Sequence, residues 1–298
     1  MYNFALNINN IFAGYSNREV LHDINLCLQP GLIYGLVGES GCGKSTLSRV
    51  LSGELPPQSG NIVPNILKDT SSKPFVINQD VFSSFDINQT VFECLKEIIQ
   101  IKKLPHSLGY KDVITSTLFR FQFPLHLISQ KIKNLSGGEK QRLALARAFL
   151  ISPDFLIFDE SLESLDMVTK VSVADAIKNW HSEKPYGAIF ISHDLSLVKY
   201  CCDIIIVMFD GRIIEVLPSS FISQKNINML HPYTKLLFDT TYEETLKGDV
   251  GTTFSPSKAG CPFSPNCFNS KKICALENPQ IIEMGKKHYI ACHFYCND

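Results

Sequence analysis

Gly38-Glu39-Ser40-Gly41-Cys42-Gly43-Lys44-Ser45 decides how this chain is read. The string fits G-x-x-x-x-G-K-S in full, between an apolar run, Leu32 to Val37, that reads as a buried strand and a segment, Lys44 to Leu51, that reads as a helix stopped at Gly53. Glycines let the backbone curl so that successive N–H groups converge on phosphate oxygens. The helix that follows aims its positive end at the same point. Lys44 is then placed to neutralise β- and γ-phosphate charge, and Ser45 to ligate Mg²⁺. The expected contact set is Gly38, Glu39, Ser40, Gly41, Cys42, Gly43, Lys44, Ser45 and Thr46, with Cys42 as a small space-filler.

A second element answers the first. Phe155-Leu156-Ile157-Phe158 is an apolar strand ending in Asp159-Glu160, where a phosphate site in an open α/β sheet wants carboxylates. Asp159 is suited to hold Mg²⁺ through water, and Glu160 to accept a proton from an attacking water. Around these strings the pattern alternates. Short β runs at 155–158, 188–192 and 204–208 are separated by helical stretches at 169–180 and 195–200, which predicts a parallel sheet with helices on both faces. Phe4 to Ile8 and Ile24 to Leu28 place large apolar residues at every second position and predict half-buried strands of an antiparallel layer. Thr90 to Gln100 and Lys111 to Phe121 carry helical spacing, punctuated by Pro105 and Pro124, and predict a helical insert.

Composition agrees with a folded α/β chain. Of 298 residues, 45% are apolar and 19% charged, and 28 basic against 29 acidic residues leave a net charge of −1, which gives no support to a nucleic-acid binder. Mean hydropathy is high at +0.04, yet the longest wholly apolar run, Ile204 to Phe209, falls far short of the roughly 20 residues a membrane span needs. The first residues lack the basic-then-apolar order of a secretory signal, so a cytosolic location is expected. Ten cysteines are many for that compartment and point to metal binding or buried packing.

Leu135-Ser136-Gly137-Gly138-Glu139-Lys140-Gln141-Arg142 resembles the signature of the ATP-binding cassette (ABC) ATPases. As chemistry it is another helix start, before a predicted helix over 141–150, with Ser136 able to cap and glycines exposing N–H groups to an anion. The resemblance implies a P-loop NTPase fold: a RecA-like parallel sheet core, an N-terminal antiparallel β layer, a helical insert over about 81–150, and a small cysteine-rich C-terminal extension. It implies that ATP lies between the cradle of one subunit and Ser136, Gly137 and Gly138 of another. Gln79 matches the Q-loop that senses Mg²⁺ and the attacking water, and Glu160 the general base. Ser161 to Asp166 resembles the D-loop, with Glu163 where a small residue is usual. His193 matches the switch histidine and Tyr15 the adenine-stacking aromatic.

The rest of the chain narrows the resemblance. His231-Pro232-Tyr233-Thr234-Lys235 and Gly260-Cys261-Pro262-Phe263-Ser264-Pro265-Asn266-Cys267 look like the C-terminal extension of oligopeptide and dipeptide importer ATPases, a subfamily that includes nickel importers. Asn266 stands where that subfamily has Arg. The implied organisation is an ATPase domain over 1–246 and a linker plus extension over 247–298. The implied setting is the cytoplasmic face of the inner membrane, bound to two permease subunits and a second, similar ATPase, and served by an extracytoplasmic binding protein. A nickel or metal-chelate importer and a soluble non-transport ABC ATPase are the alternatives. Cys261, Cys267, Cys274 and Cys292 are separated by five, six and seventeen residues, unlike the tight knuckles of most zinc sites. By softness they suit a 4Fe-4S cluster, which some members of the subfamily carry, or zinc, with free thiols or a disulfide as the other reading and Cys296 and His293 as rival ligands.

Overall fold

The computed structural model describes residues 4–16, 18–66, 74–78, 84–103, 109–163, 165–223, 225–238, 257, 259–285 and 287–295. Gln79, most of 247–260 at the start of the expected linker and extension, and Cys296 lie outside them. In chain order the elements are β1 (Phe4–Tyr15), β2 (Arg18–Leu28), β3 (Ile33–Val37), α1 (Lys44–Ser52), β4 (Ser59–Ile66), β5 (Phe75–Ile77), α2 (Val91–Ile101), α3 (Tyr110–Arg120) and α4 (Gly137–Ile151). There follow β6 (Phe155–Asp159), α5 (Met167–Glu183), β7 (Gly187–Ile191), α6 (Leu195–Cys201), β8 (Ile204–Phe209), β9 (Arg212–Pro218), α7 (Pro232–Phe238), β10 (Ile281–Gly285) and β11 (His288–Ala291). The chain divides into two compact units, one mainly Asn65–Ser192, the other Leu6–Cys27, Tyr34–Pro64 and His193–Asp298.

In the first unit β5, β6 and β7 run parallel, with Phe155 opposite Gly187 and Asp159 opposite Ile191. β6 is buried from Phe155 to Phe158, so its apolar run serves two covered faces, as parallel strands require. Gly187 is needed there because a Cβ would come within 2.6 Å of the Phe155 ring. The helices start where capping chemistry puts them. Thr90 closes a capping box with Glu93 ahead of α2, Ser136 does the same with Glu139 ahead of α4, and Asp166 caps α5. Phe121, Phe149, Trp180 and Tyr186 form a chain of edge and tilted ring contacts, with Phe149 and Trp180 centroids 5.2 Å apart. That chain ties α5 and α4 to the end of α3.

In the second unit β3 pairs with β8 in parallel, and β8, β9, β11 and β10 continue antiparallel. The β8–β9 turn is Asp210-Gly211, both with positive φ (45° and 72°), the geometry Asp-Gly supplies to a two-residue hairpin. A separate three-stranded sheet has the order β2-β1-β4. β1 and β2 are longer than their alternation predicts, because the polar residues that break it sit at irregularities. Asn10 and Asp23 take positive φ and bond to each other, Asn10 Nδ2 donating to Asp23 Oδ1 at 2.8 Å. Beyond Asp23, Ile24 and Leu28 are buried as expected.

Strand β11 pairs with β9, Ile290 opposite Glu215, so the cysteine-bearing tail extends the sheet of the second unit. The junction is buried and polar. His288 Nε2 lies 2.7 Å from Glu215 Oε1, and the His231 N–H donates to Glu215 Oε2 at 3.0 Å. Burial also lowers the pKa of His231 to about 3. Between that value and the ordinary histidine value the unfolded chain takes up a proton that the folded chain refuses, so stability falls as pH falls. From pH 7.5 to 5 this group should remove about 2 kcal/mol at 25 °C. Urea unfolding of the chain and of His231→Asn at the two pH values checks it, the variant losing that much less on acidification.

Candidate functional site

The loop between β3 and α1 has the backbone its glycines were expected to permit. Gly38, Gly41 and Gly43 take φ values of 152°, 83° and 107°. A Cβ on Gly38 would stand 2.2 Å from the Met208 carbonyl oxygen, so the loop lies against β8 where no side chain fits. From the other side the Gly211 N–H of the hairpin turn donates to the Cys42 carbonyl at 2.9 Å. Helix α1 begins at Gly43 with no side-chain cap, unlike α2, α4, α5 and α6. Its first N–H groups and dipole are therefore open to an anion.

Lys44 is buried and folded back over the loop. Its Nζ donates to the carbonyls of Gly38 and Glu39, both at 2.8 Å. The same carbonyls hold the ammonium at the loop centre, where phosphate charge would meet it. Burial raises the Glu39 carboxyl above the usual carboxylate range, with Lys44 opposing. Burial likewise pushes the Cys42 thiol up, which suits a space-filler and not a nucleophile. Ser40 and Ser45 are exposed at the loop rim and Thr46 is buried. Tyr15 ends β1 and is 41% exposed, and its hydroxyl accepts from Arg49 Nη1 at 3.0 Å.

The first unit holds the carboxylates and the glycine pair. Asp159 closes β6 half-buried, and Glu160 follows with φ 50°. A left-handed glutamate costs about 1–3 kcal/mol, held here by its N–H donating to the Ile191 carbonyl at 3.0 Å. The conformation turns the chain sharply at the strand end, so that Asp159 and Glu160 project differently. At the tip of α4, Ser136 is exposed and its Oγ accepts from the Glu139 N–H at 3.3 Å, which leaves the hydroxyl proton to donate. A Cβ at Gly137 would meet open space, whereas one at Gly138 would touch Leu165 at 3.4 Å. Glu163 of the D-loop stretch is half-buried. His193, in the second unit, is exposed after β7 and before the Asp194 cap of α6.

The tail brings its cysteines together. Cys261, Cys267, Cys274 and Cys292 line one small pocket with His231, Phe263 and His293. Burial raises the Cys261, Cys267 and Cys292 thiols, Cys292 to about 12, and the neighbouring cysteines push the same way. Backbone N–H groups act in the opposite sense: Phe263 and Ser264 on Cys261, Asn269 on Cys267, Phe294 on Cys292. The Lys271 N–H is 3.4 Å from Cys274 Sγ. His293 bonds through Nε2 to the Glu277 carbonyl.

Sequence reasoning missed the residues that brace the loop. Met208, Gly211 and Tyr233, whose hydroxyl accepts from the Glu39 N–H at 2.9 Å, lie far along the chain. Asp210-Gly211 carried a hairpin signal but none that named its neighbour.

A curled glycine loop, a lysine drawn into it and an uncapped helix at its end define a P-loop nucleotide-binding protein. The ABC transporter family profile matches residues 21–163, from β2 through the loop to the D-loop stretch. YkfD of Bacillus subtilis, named for oligopeptide transport and ATP binding, is 32% identical over 94% of this chain and 90% of its own length. The oligopeptide transport ATP-binding protein OppF of Haemophilus influenzae is 30% identical, again over 94% of this chain and 90% of its own. The structure of cbiO1 from Clostridium perfringens shares the fold at a TM-score of 0.63 and 24% identity, over 79% of this chain and 98% of that one. The chain belongs to the ATP-binding proteins of the ABC transporter family, and it is an ATPase.

Gly38→Ala should lower ATP affinity at least tenfold, since the added methyl cannot be accommodated without moving the loop off the Met208 carbonyl. Calorimetric titration with Mg·ATP checks this, and near-normal affinity would separate the loop's shape from binding.

Proposed function

We propose that this chain is the ATP-binding and ATP-hydrolysing subunit that powers import of oligopeptides or dipeptides. The observation that carries the reading is the length of the likeness: the relatives named for oligopeptide transport match 94% of the chain, far beyond the cassette itself. The subunit works at the cytoplasmic face of the membrane, docked on two permease subunits and paired with a second, non-identical ATPase, while an extracytoplasmic binding protein delivers the solute. Among the described residues no helix is long and apolar enough to cross a membrane, and in this reading the solute's path lies in the permeases.

In this reading the amides of Gly38 to Thr46 and the Lys44 ammonium bind the β- and γ-phosphates, and Tyr15 stacks on adenine. Ser45, Asp159 and Gln79 hold Mg²⁺, which supplies charge neutralisation at the phosphates. Glu160 takes a proton from the attacking water, and His193 contacts the γ-phosphate. Ser136, Gly137 and Gly138 face the nucleotide of the paired ATPase, whose corresponding helix tip faces the nucleotide of this chain, so that each nucleotide is closed between two molecules. Chemistry then needs little beyond a positioned water and preorganised charge.

The four tail cysteines are proposed as the ligands of a 4Fe-4S cluster, with zinc as the alternative occupant. What supports this is their common pocket and the N–H groups directed at each sulfur, which oppose the burial and the mutual repulsion that hold the thiols protonated and would stabilise thiolates once a metal binds. The extension is taken as a unit over 247–298 following an ATPase domain over 1–246.

Glu160→Gln should bind ATP normally and hydrolyse it about 100- to 10,000-fold more slowly, measured as phosphate release by the assembled complex. Near-normal turnover would remove Glu160 from the base role. Wild-type chain drawn from detergent-solubilised membranes should bring permease subunits with it. Anaerobically purified chain should contain iron and sulfide in equal amounts; a colourless, iron-free protein with a folded tail would count against the cluster.

A further inference from the structure

We infer that Tyr233 is a positioning residue of the phosphate loop, and that the C-terminal extension sets ATP affinity through it. The inference rests on the reading of Gly38 to Thr46 as the ATP site and adds a part of the chain to which that reading gives no role at the nucleotide. The Glu39 N–H, the first amide after Gly38, donates to the Tyr233 hydroxyl at 2.9 Å, across 194 residues of sequence. Fixing that amide fixes the direction from which the backbone enters its curl, and so where the following amides point.

Two sets of contacts fix Tyr233 in turn. Its ring is fully buried and edge-on to two others, with centroids 4.8 Å from Phe209 and 5.3 Å from Phe263; those two are 5.4 Å apart. Phe209 follows Met208, the residue whose carbonyl the loop lies against. Phe263 lies between Cys261 and Cys267 and lines the cysteine pocket. The second set is a buried series of hydrogen bonds. The Tyr233 N–H donates to His231 Nδ1 at 3.1 Å, the His231 N–H to Glu215 Oε2 at 3.0 Å, and Glu215 Oε1 meets His288 Nε2 at 2.7 Å. Tyr233, His231, Glu215 and His288 are all buried. The series thus runs from β11 of the extension, through β9, to the entry of the phosphate loop.

A phenylalanine would fill the same aromatic triangle without the cost of burying a hydroxyl. The hydroxyl is spent on the loop, which separates this residue from ordinary core.

The test uses the full-length chain, titrated calorimetrically with Mg·ATP, with thermal midpoints measured in the absence of nucleotide. Tyr233→Phe keeps the ring triangle and leaves the Glu39 N–H unpaired; ATP affinity should fall about tenfold. His288→Ala cuts the series at its far end and should weaken ATP about threefold. Ile8→Ala, a buried change in β1, should lower the midpoint while leaving ATP affinity within twofold. Wild-type affinity in Tyr233→Phe overturns the inference, and so does an equal loss in Ile8→Ala, which would mean general loosening. Unchanged affinity in His288→Ala overturns the role of the extension. Lys44→Ala keeps the two readings apart: if it binds ATP normally, the assignment of the ATP site fails, whereas if it alone loses ATP, the brace fails and the site stands.

Discussion

A triphosphate brings several negative charges to one point, and the fold of this chain is organised by the need to meet them with backbone N–H groups out of water. Amides converge only if the chain turns through conformations that side chains resist, which is why Gly38, Gly41 and Gly43 all take positive φ within six residues. Such a loop does not hold its own shape. Its carbonyls are satisfied by Lys44 and by the Gly211 N–H, its flank by the close approach to Met208, and its entry by Tyr233. The second unit can be understood as the support for this one curve.

The first unit follows a different principle. Lys103, Gln122, Ser152 and Glu160 all take left-handed backbone there, and of these Glu160 is the one that ends a buried strand abruptly. Ordinary strands do not end on a glutamate in that conformation, and the neighbouring carboxylate of Asp159 makes the corner a place for charge. The tip of α4 is built the other way, with a well-formed capping box and a glycine that faces open space. A helix start with that much unused room suits contact with a ligand brought by another molecule.

Much of this was legible because motif and periodicity coincided. The loop, the strand into Asp159 and the capped helix after Ser136 each carried both a residue pattern and a local structural reason, and their elements formed within a residue or a few of where they were expected. Strands β4, β5, β9, β10 and β11 were not read. β10 exposes most of its side chains and carries Glu283, so its strand character comes from pairing with β11 and not from its own pattern. The long reach of β1 and β2 was hidden by Asn10 and Asp23, whose mutual hydrogen bond turns an apparent break into an irregularity the strands pass through. The braces of the loop were illegible for a simpler reason: Tyr233 and Gly211 are far along the chain, and proximity created by folding leaves no local mark on a sequence.

Hydrogen–deuterium exchange on the full-length chain, with and without Mg·ATP, tests most directly whether backbone amides of the loop are what hold the nucleotide. The account predicts that ATP slows exchange across residues 39–46, with the largest protection in the peptide containing Gly43, Lys44 and Ser45. Exchange in that peptide unaffected by saturating ATP, with protection elsewhere or nowhere, would contradict it.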